Sequence, residues 1–418
     1  HLDAHLGLAR LTEELGPHEE AKQRYRELAE RFPHHPAVRI AVADFHLRRG
    51  EHHAAITHLE AALASRPDDR AIITRLASLL GAEGQHARAL TILDDALRSA
   101  PENRDLLRQR AITLAGLRHW AEAESLAKKV LAESSGDGAL HALLAEAYES
   151  RLEYLSAQAE LRRATELAPE EPDYLRRFGR VVRMVGMVKG LNHHDFDAAL
   201  HALERSIVLA GERADAREEQ GLLCWLRGNQ ERAIEYMARA AKMEPENAEY
   251  QLNLGTACRV LGRLHDALPA LEAAVRLDPS RADAHYELGE TYRTLGQFPQ
   301  AEKELVRAVE LAPDNSDYQF ALGQVLSNLE EWDAAAAALH RAVQLRPDAA
   351  SWPRLLADVL ASRGDLKAAL SQYERAIESE PDDPTSWRNL ADAARRSGQR
   401  NRAIQAMQRA LELAPGMA

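Results

Sequence analysis

The stretch that decides the fold runs from Ala282 to Asn315, ADAHYELGETYRTLGQFPQAEKELVRAVELAPDN. Its apolar residues fall in two blocks, Leu288, Tyr292 and Leu295 in the first and Leu305, Ala308, Val309 and Leu311 in the second. Spacings of three and four put each block on one face of a helix, and no alternating strand pattern interrupts them. Gly296 sits between the blocks, where the chain must reverse. Pro313 ends the second block, because proline lacks the N–H and clashes with the preceding turn. Gly289 and Ala301 mark the crossing of the two helices, where a larger side chain would push the backbones apart. The segment reads as two helices packed antiparallel.

The same marks repeat along the whole chain. Ala21, Ala55, Ala89, Ala123 and Ala157 are spaced by 34; after a step of 42 to Ala199, the 34-residue step resumes from Ala233 to Ala403. A second column is always Ala or Gly, from Ala9 through Gly179, Gly221 and Gly255 to Ala391. A third is proline from Pro33 to Pro415, with Ser135 and Gly211 in its two gaps. The acidic residue that usually follows the proline, as in Pro67-Asp68 or Pro245-Glu246, suits the N–H end of the next helix. The expectation is an all-α chain of twelve helix pairs, each burying apolar surface against its neighbours.

These columns resemble the tetratricopeptide repeat (TPR), and the resemblance covers essentially the whole chain. It implies an α-solenoid, a right-handed superhelix of about twelve antiparallel helix pairs whose first helices line a concave groove that grips peptides, helices or domains. Residues 1–171 are read as repeats one to five, 172–213 as repeat six with an eight-residue excess, and 214–418 as repeats seven to twelve.

Composition agrees with this reading and narrows the partners. Acidic residues outnumber basic ones, 65 to 53, for a net charge of −12, which disfavours a nucleic-acid binder. No stretch approaches the roughly 18 apolar residues of a membrane span, so no membrane insertion is expected. Cys224 and Cys258 occupy equivalent places in neighbouring repeats, roughly 10 Å apart at usual helix spacings, and are expected to be buried thiols. The chain opens on His1 and reads as mid-repeat, so a fragment or processed product is expected. No targeting segment is visible, and a cytoplasmic location is the expectation.

The eight-residue excess falls near Gly186–Asp195, between the helices of the sixth pair. Met187, Val188 and Leu191 would form an exposed partner-binding loop there; the other expectation is a lengthened helix. His193-His194-Asp195, His34-His35 and His52-His53 are read as solvated turn residues, with no metal. In the fourth repeat Arg118 replaces the turn glycine and Ser135 the proline, which fits either a softer joint or simple drift.

No catalytic constellation is visible: no phosphate loop, no G-x-S-x-G elbow, no H-E-x-x-H. No enzymatic activity and no cofactor are expected. The groove offers a different chemistry. Arg176, Arg180 and Arg183 share one helix face, and the column through Arg183 continues as Trp225, Arg259 and Arg293 to Arg395. Guanidinium groups beside an indole suit an acidic or phosphorylated protein or peptide. Pairing with internal acids such as Glu290 or Glu249 is the competing expectation. The carboxylate clamp of some TPR proteins is not matched, since Glu218 and Glu219 stand where basic residues would be needed. The function expected is a protein–protein interaction scaffold, or alternatively the regulatory or substrate-recruiting region of a larger enzyme.

Overall fold

The small columns demand pairs of closely crossing helices, and the computed structural model, which describes residues 2–190 and 192–414, consists of them. His1, Leu191 and Pro415 lie outside the described residues. The chain divides into two units. The first, His1–Gly211, holds α1 (Leu2–Leu15), α2 (His18–Arg31), α3 (Pro36–Arg48), α4 (His52–Ser65), α5 (Arg70–Ala82), α6 (His86–Ser99), α7 (Arg104–Gly116), α8 (Trp120–Glu133), α9 (Gly138–Glu149), α10 (Tyr154–Leu167), α11 (Pro172–Lys189) and α12 (His193–Ala210). The second, Glu212–Ala418, holds α13 (Ala214–Leu226), α14 (Gln230–Met243), α15 (Ala248–Val260), α16 (Leu264–Leu277), α17 (Ala282–Thr294), α18 (Phe298–Leu311), α19 (Ser316–Asn328), α20 (Trp332–Leu345), α21 (Trp352–Arg363), α22 (Leu366–Ser379), α23 (Pro384–Arg396) and α24 (Arg400–Leu413). Odd-numbered helices are the first of each pair. Among the described residues there is no strand.

One contact sets each crossing. The residue four positions after the alanine column seats its side chain on the small residue of the partner helix. A Cβ added at Gly255 would lie 2.5 Å from Leu271 Cγ, at Gly289 2.7 Å from Leu305 Cγ, and at Gly323 2.5 Å from Leu339 Cγ. These three leucines are 0% exposed, so each contributes about 1.5–3 kcal/mol of burial. The core is correspondingly local. One cluster joins Ala9, Tyr25 and Phe45 on α1–α3, another Ala111, Val130 and Leu144 on α7–α9, and another Met237, Leu271 and Leu288 on α14–α17.

Polar ties close the joints between repeats. Asp69 accepts from the N–H groups of Ala71 and Ile72, and Asn247 from those of Glu249 and Tyr250. The capping side chain is thus the second residue after the proline. Asp68 and Glu246, expected to cap, lie one residue too early, because the chain needs one more extended residue before the helix begins. A further tie escaped the sequence. The residue four before the small column donates to the carbonyl of the proline column six residues back: Arg39 to Pro33 (2.7 Å), Gln251 to Pro245 (3.2 Å), Gln319 to Pro313 (3.1 Å) and Trp387 to Pro381 (2.8 Å). His141 and His285 take the same place, with Nε2 3.1 Å from the Ser135 carbonyl and 3.2 Å from the Pro279 carbonyl.

The sixth pair spends its excess on helix. α11 and α12 each have 18 residues, against 12–14 in the other helices. Met187 and Val188, 62% and 77% exposed, therefore sit on the last turn of α11 rather than in a loop. The joint after the fourth repeat has its own tie: Asp137 caps α9 and takes Arg108 Nε at 2.5 Å. Arg118, Leu152 and Glu330 adopt left-handed backbone, φ 60°, 61° and 62°, where most repeats place glycine.

Two stability changes follow. Leu152 is 70% exposed, so Leu152→Gly removes left-handed strain of about 1–2 kcal/mol while adding about 0.5–1 kcal/mol of unfolded-state entropy. It should raise stability slightly, by about 0.5–1 kcal/mol, read as a higher urea midpoint at unchanged slope. Gly255→Val should cost about 1–3 kcal/mol by overpacking against Leu271. Hydrogen exchange should show α15 and α16 losing protection before α21–α24; uniform loss across the unit would refute local stability.

Candidate partner-binding face

Neighbouring first helices approach one another within each unit, as α5–α7 and α7–α9 do in the first and α15–α17, α17–α19 and α21–α23 in the second. Among the described residues successive second helices show no comparable approach. The first helices therefore crowd toward the inner side of each stack, where the sequence expects a groove.

In the second unit that face carries Trp225 on α13, Arg259 on α15 and Arg293 on α17. Trp225 is half-buried and packs against the cluster containing Leu252 and Cys258. Arg259 reaches across to the next first helix, its Nε 2.5 Å from Glu287 Oε2. That bond uses one of five guanidinium donors and leaves the terminal nitrogens outside it. Arg293 is bound differently. Its Nε and Nη2 donate to both oxygens of Glu290 on its own helix, at 2.7 and 2.9 Å. Glu290 is buried, and this pairing holds the Arg293 proton more firmly than usual. Pairing with Glu290 was thus legible in the sequence, whereas Arg259 pairs with Glu287, an acid the sequence did not single out.

In the first unit the face of α11 carries the other three arginines. Arg176 Nη2 bonds Asp173 Oδ1 at 2.5 Å, Arg180 bonds Glu149 of α9, and Arg183 Nη1 lies 3.5 Å from Met187 Sδ. Arg177, not singled out by the sequence, shares Glu149 at 2.9 Å. The two groups of candidate residues belong to different units: α11 brings Arg176, Arg180 and Arg183 together with Met187, and α13–α17 bring Trp225, Arg259 and Arg293 onto one face.

Aromatic residues on the same helices were missed. Tyr286 stacks on Tyr318 with ring centres 4.7 Å apart, and Phe320 on Trp352 at 4.6 Å. Each pair joins consecutive first helices, and burial beside Glu290 and Glu287 pushes the Tyr286 hydroxyl up to about 12. The available signal is an aromatic three residues before one small-column residue matched by an aromatic five before the next. Asn253 and Asn389 share a column and a task, donating to Glu218 (2.7 Å) and Asp358 (2.9 Å) of the preceding first helix.

Other candidates are placed by the structure without joining the face. His52 Nδ1 is 2.6 Å from Glu83, and His193 and His194 open α12. Among the described residues no three His, Cys, Asp or Glu side chains group as metal ligands. Cys224 and Cys258 are buried, and burial pushes the Cys258 thiol up. Among the described residues no helix is long and apolar enough to cross a membrane.

No curated protein matches the sequence at a significant level. Among solved structures, YrrB, described as a TPR protein with an unusual peptide-binding site, is 26% identical over 44% of this chain and 95% of its own, with a TM-score of 0.42. A MamA structure is 26% identical over 40% of this chain and 92% of its own, with a TM-score of 0.39. MamA from Desulfovibrio magneticus RS-1 is 19% identical over 41% and 96%, also at 0.39. Two family models described as tetratricopeptide repeat match most of the chain, one at residues 13–79, 46–111 and 261–325, the other at 191–248, 231–282, 320–372 and 354–418. With those matches laid over helix pairs that repeat every 34 residues, the chain belongs to the tetratricopeptide-repeat family.

Proposed function

We propose that this protein is an interaction scaffold that holds an acidic or phosphorylated protein segment along the first-helix face. The observation that carries the reading is Arg259. Its guanidinium is held in place by Glu287 through Nε alone, so its terminal nitrogens stand ready on a face that also carries the indole of Trp225. A carboxylate or phosphate can engage that edge while the internal pair persists, which lowers the cost of ordering the side chain on binding. Arg180 and Arg183 are the corresponding candidates on α11, with Met187 and Val188 as exposed apolar neighbours at the end of the same helix. The net charge of −12 disfavours nucleic acid and confines attraction for an acidic partner to the local basic column.

The test is affinity capture with mass spectrometry using wild type and Arg259→Glu, followed by titration of the recovered partner. Arg259→Glu should weaken binding by at least about tenfold and Arg259→Lys by less, since lysine lacks the planar fork. Affinity should fall as salt rises, because exposed pairs are screened over about 8 Å at physiological ionic strength. Unchanged affinity in a folded Arg259→Glu protein would remove the arginine from the mechanism.

Arg293 should behave otherwise. Removing it leaves the buried Glu290 carboxylate without its bidentate donor, so Arg293→Gln should cost about 1–3 kcal/mol of stability. Arg259→Gln should cost less, because it removes one hydrogen bond to Glu287 rather than two. Urea melts of the two variants give the comparison.

A further inference from the structure

A crevice of about 340 Å³ lies at the joint of α2, α3 and α4 in the first unit, away from the arginine face. Lys22 and Arg26 reach it from α2, Arg39 from α3 and His58 from α4, with Glu30 as its lone carboxylate. Among the described residues neither Lys22 nor Arg26 makes an ion pair, whereas Arg39 is pinned. Its Nε donates to the Pro33 carbonyl at 2.7 Å and its Nη1 lies 3.0 Å from His58 Nδ1. Arginine can only donate, so His58 accepts at Nδ1 and is neutral. Burial, then the charge of Arg39, then that of His46 push its protonation down to about 4. His46, stacked on His58 at 5.5 Å, is tied to Glu51 at 2.6 Å. Tyr25 and Phe45, both 1% exposed, supply an apolar wall.

The fold does not require these cations. The next joint, between α4, α5 and α6, has a crevice in the same place. There the residues 34 positions on are Ile56 for Lys22, Glu60 for Arg26, Ile73 for Arg39 and Ile92 for His58. Glu60, Ile73 and Ile92 line that crevice with Asp68 and Asp95, and Ile56, 3% exposed, is buried in the core rather than lining it. Arg39 already serves the fold through its tie to Pro33, but Lys22 and Arg26, facing the lone carboxylate of Glu30 beside it, call for an explanation other than packing. A phosphate-type dianion matches the two positive charges left over, and two arginines with a lysine supply the donors its oxygens accept.

We propose that the α2–α3–α4 crevice binds a phosphate-type dianion, either free or carried on a phosphorylated side chain of a partner. This site stands apart from the arginine face and does not depend on its role. The dianion would occupy the space before Arg39 and draw Lys22 and Arg26 inward from the mouth, and its charge would favour protonated His58.

The full chain is titrated with inorganic phosphate, with a phosphoserine peptide and with the same peptide unphosphorylated, while the His58 imidazole is followed by NMR. The expected result is a saturable change at His58 with phosphate and with the phosphopeptide, accompanied by a rise in the pH at which it titrates. A phosphopeptide about tenfold tighter than inorganic phosphate assigns the site to a partner, and equal affinity assigns it to a free anion. The variant Lys22→Gln/Arg26→Gln alters two side chains without ion pairs, and it should weaken phosphate by about tenfold or more with an unchanged melting curve. Lys242→Gln in the other unit should leave affinity unchanged. No saturable change at His58, or equal affinity in the folded double variant, overturns the proposal and leaves an adventitious ion only.

Discussion

The architecture rests on one contact that recurs through most of the repeats: a large side chain on the second helix, most often leucine, seated on a residue of the first helix that has little or no side chain. Leu271 over Gly255, Leu305 over Gly289 and Leu339 over Gly323 show it most plainly, because a Cβ on any of these glycines would fall inside van der Waals contact. Close approach sets the crossing of the pair, and the crossing sets which faces remain for the neighbouring repeats. Since the contact is local, the core forms clusters of successive helices, the longest running from Ala301 on α18 to Ala406 on α24. That locality explains how the chain absorbs irregular turns at Arg118, Leu152 and Glu330, and a lengthened sixth pair, without losing the repeat.

Charge organises the side that packing leaves open. Consecutive first helices exchange ion pairs: Glu13 with Arg48 at 2.6 Å, Glu149 with Arg177 at 2.9 Å, Arg259 with Glu287 at 2.5 Å. Arg176, Arg180, Arg259 and Arg293 are therefore positioned by the protein's own acids, and Arg259 and Arg293 differ in how many donors those acids consume. Glu290 takes two from Arg293; Glu287 takes one from Arg259. An acidic protein can in this way present an oriented guanidinium at Arg259, held through Nε by Glu287. The aromatic stacks of Tyr286 with Tyr318 and Phe320 with Trp352 tie α17, which carries Arg293, to α19 and α19 to α21.

The sequence by itself determined the helix pairs, their number and the columns that cross, because those depend on side-chain size at a fixed spacing. Ala267 and Gly255 could be read as a crossing from size alone, and buried Cys224 and Cys258 from their place in the repeat. It also placed Arg293 within reach of Glu290, since residues three apart on a helix share a face. Tertiary structure alone decided the partners that lie a repeat away. That Arg259 pairs with Glu287, that Asp69 rather than Asp68 caps its helix, and that the excess near Gly186 lengthens α11 and α12 depend on how repeats are offset and where each helix begins. Hydrogen bonds need ångström placement and favourable angles, and a 34-residue period specifies which residues are neighbours without specifying that placement.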